Sequence, residues 1–355
     1  MKSPGGTVAD MRTLRINWRA AAVIATTAVV TACGGSNQGQ GGAAGQLSSQ
    51  VIQIDGSSTV FPVTEAVAEE FQRAHQGTRV TVGSSGTGGG FQKFCRDEID
   101  ISDASRPIKA SEAEACTKGG VTYIELPVGY DGIAVVVHPK NTWATSMTVA
   151  ELKKLWEPAA QGKVTRWNQI RPSWPDQEIH LFGAGVDSGT FDYFTEVIAG
   201  KAQASRGDYT SSEDDNVIVQ GVSGDEYALG YFGFAYYEQN KDKLKIVAID
   251  DGNEANGQGA IAPTPESVKD GTYAPLSRPI FIYPKVKALD RAEVASFLDF
   301  YLTKGTALVR EVGYIPLTDR EYDLVRARLK SRKTGSMYTE ADAHAQIPLE
   351  QRLSK

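Results

Sequence analysis

Three short runs rich in Gly, Ser and Thr carry the residues best suited to chemistry: Asp55-Gly56-Ser57-Ser58-Thr59-Val60-Phe61-Pro62, residues 83–90 (GSSGTGGG), and Gly185-Val186-Asp187-Ser188-Gly189-Thr190-Phe191. Each stands between a strand-like and a helix-like stretch. A chain turning there leaves backbone N–H groups without intrahelical partners at the positive end of a helix dipole, which is a ready seat for an oxyanion. Hydroxyls beside those amides add donors without adding charge. Taken singly, such a run is more often a capped turn. Three in one chain, joined by Arg106 in Ser102-Asp103-Ala104-Ser105-Arg106-Pro107, read as a converging anion site.

Catalytic readings of the same residues fare less well. Residues 86–90 lack the Gly-Lys-Ser/Thr ending of a Walker loop, and Phe91 occupies the last Gly position of a dinucleotide fingerprint. Neither 83–87 nor 185–189 fits a Gly-x-Ser-x-Gly nucleophile elbow. The histidines, His75, His138, His180 and His344, show no ligand or base spacing. Acidic pairs such as Asp214-Asp215 and Asp250-Asp251 read as solvated turn residues, so no catalytic residue, cofactor or metal site is expected.

The elements that must position these loops alternate. Residues 51–54, 78–82, 133–137, 179–182, 231–234, 246–248 and 279–283 read as strands. Val63, Val67 and Phe71 recur at four-residue spacing on one helix face, and a short helix is expected around Phe91, Phe94 and Cys95. Ser111 to Glu114 and Thr148 to Glu151 match the capping box, so helices should start there. Residues 290–302 and 319–330 read as late helices. Strand–helix alternation of this kind argues for α/β layers.

The 355 residues, 41% hydrophobic and 23% charged, suit a folded body of one large or two medium domains. Residues 1–32 read as an export signal: Arg12, Arg15 and Arg19 precede an apolar run too short to span a bilayer, ending in small residues before Cys33. That arrangement looks like a bacterial lipoprotein signal, with Cys33 acylated. The alternative is an ordinary signal cut near Ala32, and either Met1 or Met11 could be the start. Beyond residue 32 the chain carries 33 basic against 42 acidic groups, the wrong sign for a nucleic-acid binder held by phosphate contacts. Residues 33–47 are Gly-rich and read as a tether of roughly 20 Å root-mean-square reach. Cys95 and Cys116 remain in an oxidising setting and are expected to pair rather than stay as buried thiols.

Together the motifs resemble the periplasmic phosphate-binding proteins of phosphate-specific ABC transporters, over about residues 50–318. The resemblance rests on residues 56–62, 83–86, 100–107, Leu155-Trp156-Glu157-Pro158, Arg166-Trp167-Asn168-Gln169, 187–191, 229–237 (LGYFGFAYY), 275–279 and 313–317. It implies a type II periplasmic-binding-protein fold: two α/β lobes, with a two-strand hinge near Leu126-Pro127 and Leu276-Ser277. Lobe 1 would comprise 48–127 and 277–345, and lobe 2 residues 128–276. It also implies a non-enzymatic, exported, lipid-anchored or periplasmic monomer that captures inorganic phosphate between the lobes and delivers it to an ABC permease and its ATPase.

Carried over, the site falls on Ser58, Thr59, Val60 and Phe61, on Ser84, and on Ser188, Gly189 and Thr190. Val60 replaces the usual Thr, which shifts the hydroxyl to Thr59 or Ser58. Arg106 stands where well-known members place a proton-accepting carboxylate, while Ala184 and Gly185 stand where they place an Arg. One relocated guanidinium at Arg106 accounts for both departures. Asp187, or else Asp103, is the candidate for the missing acceptor. An exported phosphate-ester hydrolase, a general sulfate-like oxyanion receptor and a phosphate-sensing surface protein are the alternatives. The basic tail at 326–333 (RARLKSRK) reads as a solvated helix face or a partner-docking segment.

Overall fold

A computed structural model describes residues 50–186, 188–338 and 347–355. The signal, Cys33 and the tether lie outside them, as does Asp187. Strands are β1 (Gln50–Gly56), β2 (Thr78–Val82), β3 (Ile101–Ala104), β4 (Leu126–Val137), β5 (Ser146–Thr148), β6 (His180–Ala184), β7 (Thr210–Ser212), β8 (Ala228–Gly233), β9 (Lys245–Ile246), β10 (Ala248–Asp250) and β11 (Ser277–Pro284). Helices are α1 (Phe61–Ala74), α2 (Gly86–Cys95), α3 (Ala110–Lys118), α4 (Val149–Trp156), α5 (Gly189–Ala199), α6 (Asp215–Ser223), α7 (Phe234–Asn240), α8 (Pro265–Lys269), α9 (Ala292–Tyr301), α10 (Thr306–Glu311), α11 (Asp319–Lys330) and α12 (Leu349–Leu353).

Among the described residues, one nine-stranded sheet runs in the order β2-β1-β3-β11-β4-β8-β6-β7, with β9 also on β4. β2, β1 and β3 are mutually parallel, as are β8, β6 and β7. The antiparallel strands β11 and β4 lie between these two parallel groups. β4 joins them by exchanging partners along its length: Leu126 to Gly132 pair with β11, and Ile133 to Val137 pair with β8. All twelve residues of β4 are buried, which explains its near-continuous apolar sequence. This is the expected mixed α/β architecture, two halves joined through two strands.

Most elements fall where the periodicity places them. Pro62 starts α1, where a missing N–H costs nothing, and Val63, Val67 and Phe71 are buried on one face. Thr148 and Glu151 close the capping box of α4, with Glu151 N donating to Thr148 Oγ1 at 3.1 Å. The other box is displaced. α3 starts at Ala110, and Glu112, not Glu114, accepts the Lys109 amide at 2.9 Å, because Glu112 is also pinned by Arg106.

The tail at 326–333 is the expected solvated face except at one residue. Arg328 is buried and donates to Glu125 O at 3.0 Å and Gly335 O at 2.7 Å. Glu125, just before β4, in turn accepts from Tyr283 Oη, Ser336 Oγ and the Met337 amide at 2.6, 2.8 and 2.7 Å. The segment after α11 is thus folded back onto the residues that lead into β4, since a buried carboxylate must recruit donors. Charge count alone cannot show this.

Cys95 and Cys116 are joined, their Cα atoms 4.1 Å apart and 21 residues apart in sequence. The bond ties α2, which presents one anion loop, to α3. Removing it by Cys95→Ala/Cys116→Ala should cost about 3 kcal/mol by the chain-entropy estimate for such a loop. Urea denaturation of the two forms measures it, and an unchanged midpoint would show the bridge to be incidental.

Candidate functional site

The loops at the C-terminal ends of β1, β2 and β3 meet at one cleft, as open α/β sheets place their ligands. The cleft, of about 200 Å³, is lined by Ser57, Ser58, Thr59, Gly86, Thr87, Gly88, Ser105, Arg106, Lys109, Asp192, Tyr193, Glu196, Ala202 and Arg278. At ~30 Å³ per water, that is room for a small ion and a few waters. A larger cavity beside it, of about 480 Å³, has Asp131, Glu213, Asp214, Asp215 and Glu311 in its lining. Burial and the charges of Asp214 and Glu213 push the Asp215 carboxyl up to about 6. That lining repels an anion, so the smaller cleft is the chemically apt one.

Local packing brings the loops together. Gly56 has φ +148°, and a Cβ there would lie 2.1 Å from Asp103 O, so only glycine lets β1 turn over the end of β3. Ser57 N then donates to Asp103 O at 3.0 Å. Across the cleft, a Cβ on Gly189 would come within 2.5 Å of Thr59 Cα, and Thr59 Oγ1 donates to Gly189 O at 3.3 Å. The start of α5 is thereby seated on the first loop. Tyr314 Oη donates to Thr59 O at 2.7 Å and fixes that loop from a third side.

The residues anticipated from sequence divide. Ser58 and Thr59 line the cleft. The Val60 and Phe61 amides donate to Ser57 O at 3.2 and 2.9 Å, and Val60 is buried in the core. Ser84 is exposed and outside the lining, while Ser85 hydrogen-bonds Asp55. No side chain caps α2, whose first-turn residues Gly86, Thr87 and Gly88 do line the cleft. Ser188 caps α5 by accepting from the Thr190 amide at 3.1 Å, and Thr190 lines the acidic cavity. Arg106 is on the cleft wall, but its guanidinium donates twice to Glu112, at 2.9 and 2.8 Å, and once to Pro107 O.

Asp103 is fully buried and does not reach the cleft; both its carboxyl oxygens are buried without a hydrogen-bond partner. Burial pushes it up to about 8, the charge of Asp55 adding to the rise. Asp55 itself meets a rise from burial that Lys93, at 2.5 Å, and Ser85 more than offset, leaving it below the usual carboxylate range.

Two residues escaped the sequence reading. Asp192 Oδ2 accepts from Ser58 Oγ at 2.9 Å, while Oδ1 is buried with no partner. It stands one helical turn beyond Ser188, the signal that could have found it. Arg278 on β11 faces Asp131 on β4 in register, and its Nε lies 3.4 Å from Asp131 Oδ2. A charged residue inside an otherwise apolar strand was its signal.

A nine-stranded α/β sheet with two joining strands, and a donor-lined cleft at the strand ends, define a binding receptor of the periplasmic type. Residues 34–304 match the family described as a PBP superfamily domain, and the chain belongs to that superfamily. It is 50% identical over 291 residues to Protein SphX of a Synechocystis strain, covering 82% of this chain and 85% of that one. It is 36% identical over 308 residues to the phosphate-binding protein PstS of Staphylococcus saprophyticus, covering 86% and 91%. A crystal structure described as a possible phosphate binding protein, from Planctomyces limnophilus, superposes with TM-score 0.76 at 50% identity, covering 80% of this chain and 98% of that one.

The state of Asp103 is testable. The folded chain holds its proton up to about pH 8, whereas an unfolded Asp loses its own near ~3.9. The native state therefore binds the extra proton, and stability falls as pH rises between those values. Relative to wild type, Asp103→Asn should gain stability steadily from about pH 4 to about pH 8, by about 4 kcal/mol at neutrality, with no gain near pH 3. Urea midpoints across pH measure it; a difference independent of pH would mean the buried carboxyl is already ionised.

Proposed function

We propose that this protein is an extracytoplasmic receptor that captures inorganic phosphate in the cleft between its two halves and delivers it to an ABC permease driven by its ATPase. The observation that carries this reading is the meeting of three strand-end loops on a small cleft with hydroxyls, an uncapped helix start and two guanidinium groups in its lining. Such a wall offers a tetrahedral oxyanion many donors with a cation nearby, which offsets the cost of burying its charge. The relative from Staphylococcus named as a phosphate-binding protein supports phosphate as that anion.

On this reading Ser58, Thr59, the first turn of α2 and Arg106 hold the anion, while Ser188 to Thr190 act by seating α5 on the first loop. Asp192, rather than Asp103, accepts the proton of monohydrogen phosphate through its free Oδ1. We take the lobes to comprise 48–127 with 277–345, and 128–276, hinged near Leu126-Pro127 and Leu276-Ser277. Binding energy shifts an open–closed equilibrium, so measured affinity includes the cost of closure. We take the chain to be exported, monomeric and held to the membrane through lipid on Cys33. Among the described residues no helix is long and apolar enough to cross a membrane.

Calorimetric titration of the anion-stripped mature chain tests this. Phosphate should bind tightly and sulfate should give no heat. Arg106→Ala should weaken phosphate at least tenfold, and Asp192→Asn should narrow the gap between phosphate and sulfate. Binding of neither anion would overturn the reading; equal binding of both would make this a general oxyanion receptor.

A further inference from the structure

We propose that Arg278, on the joining strand β11, is the principal cation for the bound anion, with Asp131 and Tyr193 holding it in place. The inference rests on the receptor reading of the cleft and assigns its main charge to a different residue from Arg106.

The argument begins with donors. Three of the hydrogen bonds Arg106 can make are already spent, two on Glu112 and one on Pro107 O. Its charge is neutralised by a carboxylate in fork geometry, the arrangement it would otherwise offer an anion. Arg278 is differently placed. Nη2 donates to Thr59 Oγ1 at 3.1 Å, and Nε makes a long bond of 3.4 Å to Asp131. Nη1 makes no hydrogen bond among the described residues, coming only within 4.0 Å of Glu196. The guanidinium therefore keeps unspent N–H groups on the cleft wall it shares with Thr59 and Gly86.

Orientation supports the same assignment. The guanidinium carbon stands 3.4 Å from the centroid of the Tyr193 ring, and Tyr193 Oη is anchored on Pro275 O at 2.6 Å. Stacking fixes the plane of a fork that only Arg possesses. Asp131, opposite on β4, is buried, and burial drives its carboxyl up against the opposing charge of Arg278. Arg278 touches the first loop through Thr59 and α5 through Tyr193, while its backbone belongs to a strand that joins the two halves. An anion gripped there is in contact with every part of the molecule that must meet when the cleft closes.

The test is calorimetric titration with inorganic phosphate of the mature chain carrying Arg278→Lys or Arg278→Gln, beside wild type and Arg106→Gln. Thermal melting without phosphate checks that each is folded. Arg278→Gln should weaken binding about 100-fold, more than Arg106→Gln, and Arg278→Lys about tenfold, since it keeps the charge but loses the fork. Should Arg278→Gln fail to fold, the folded Lys variant decides. Folded Arg278 variants within threefold of wild type, or a larger loss from Arg106→Gln, would overturn the assignment while leaving the receptor reading intact. A wild-type chain that binds no phosphate would overturn both.

Discussion

The structure turns on a charge pair at the junction of its two halves, a buried Asp131 and a half-buried Arg278. Arg278 and Asp131 face one another across β11 and β4, the two strands that join the parallel groups on either side. Burying the Asp131 carboxylate alone would be costly, and Arg278 supplies its partner. The same constraint aims the guanidinium, since a residue that must stay beside Asp131 and under Tyr193 has few other directions to point. A charge needed at a ligand cleft is in this way held by backbone that belongs to neither loop wall.

Around that pair, close approach does the positioning. Gly56 lets β1 pass over β3, and Gly189 lets α5 press on Thr59. Both contacts are backbone against backbone, so side-chain repacking cannot relieve a substitution at either place. They bring the first loop against the end of β3 and the start of α5, near a larger cavity lined by Asp131, Glu213, Asp214, Asp215 and Glu311. The disulfide and the tail do similar work farther out, tying α2 to α3 and closing over the buried carboxylate of Glu125.

Much of the architecture was legible because it depends on local pattern. The period of Val63, Val67 and Phe71, the capping box at Thr148 and the apolar strand at 279–283 follow from which side chains must leave water. The displaced start of α3 was not legible, since Glu112 was drawn to Arg106, a partner outside the capping pattern. Nor was the burial of Arg328, whose acceptors come from the residue before β4 and from the chain beyond its own helix.

By itself the sequence determined the class of chemistry: Gly, Ser and Thr at strand-to-helix turns provide amides and hydroxyls for an oxyanion, because local backbone geometry leaves those groups unpaired. It also determined the α/β layering and which two cysteines pair. Only the tertiary structure decided which of those groups face one cleft. Ser84 and Thr190 lie outside its lining, while Asp192 and Arg278 belong to it. The physical reason is that a ligand site is a set of directions in space, and residues 134 or 219 positions apart, as Asp192 is from Ser58 and Arg278 from Thr59, share a direction only after the sheet has closed between them.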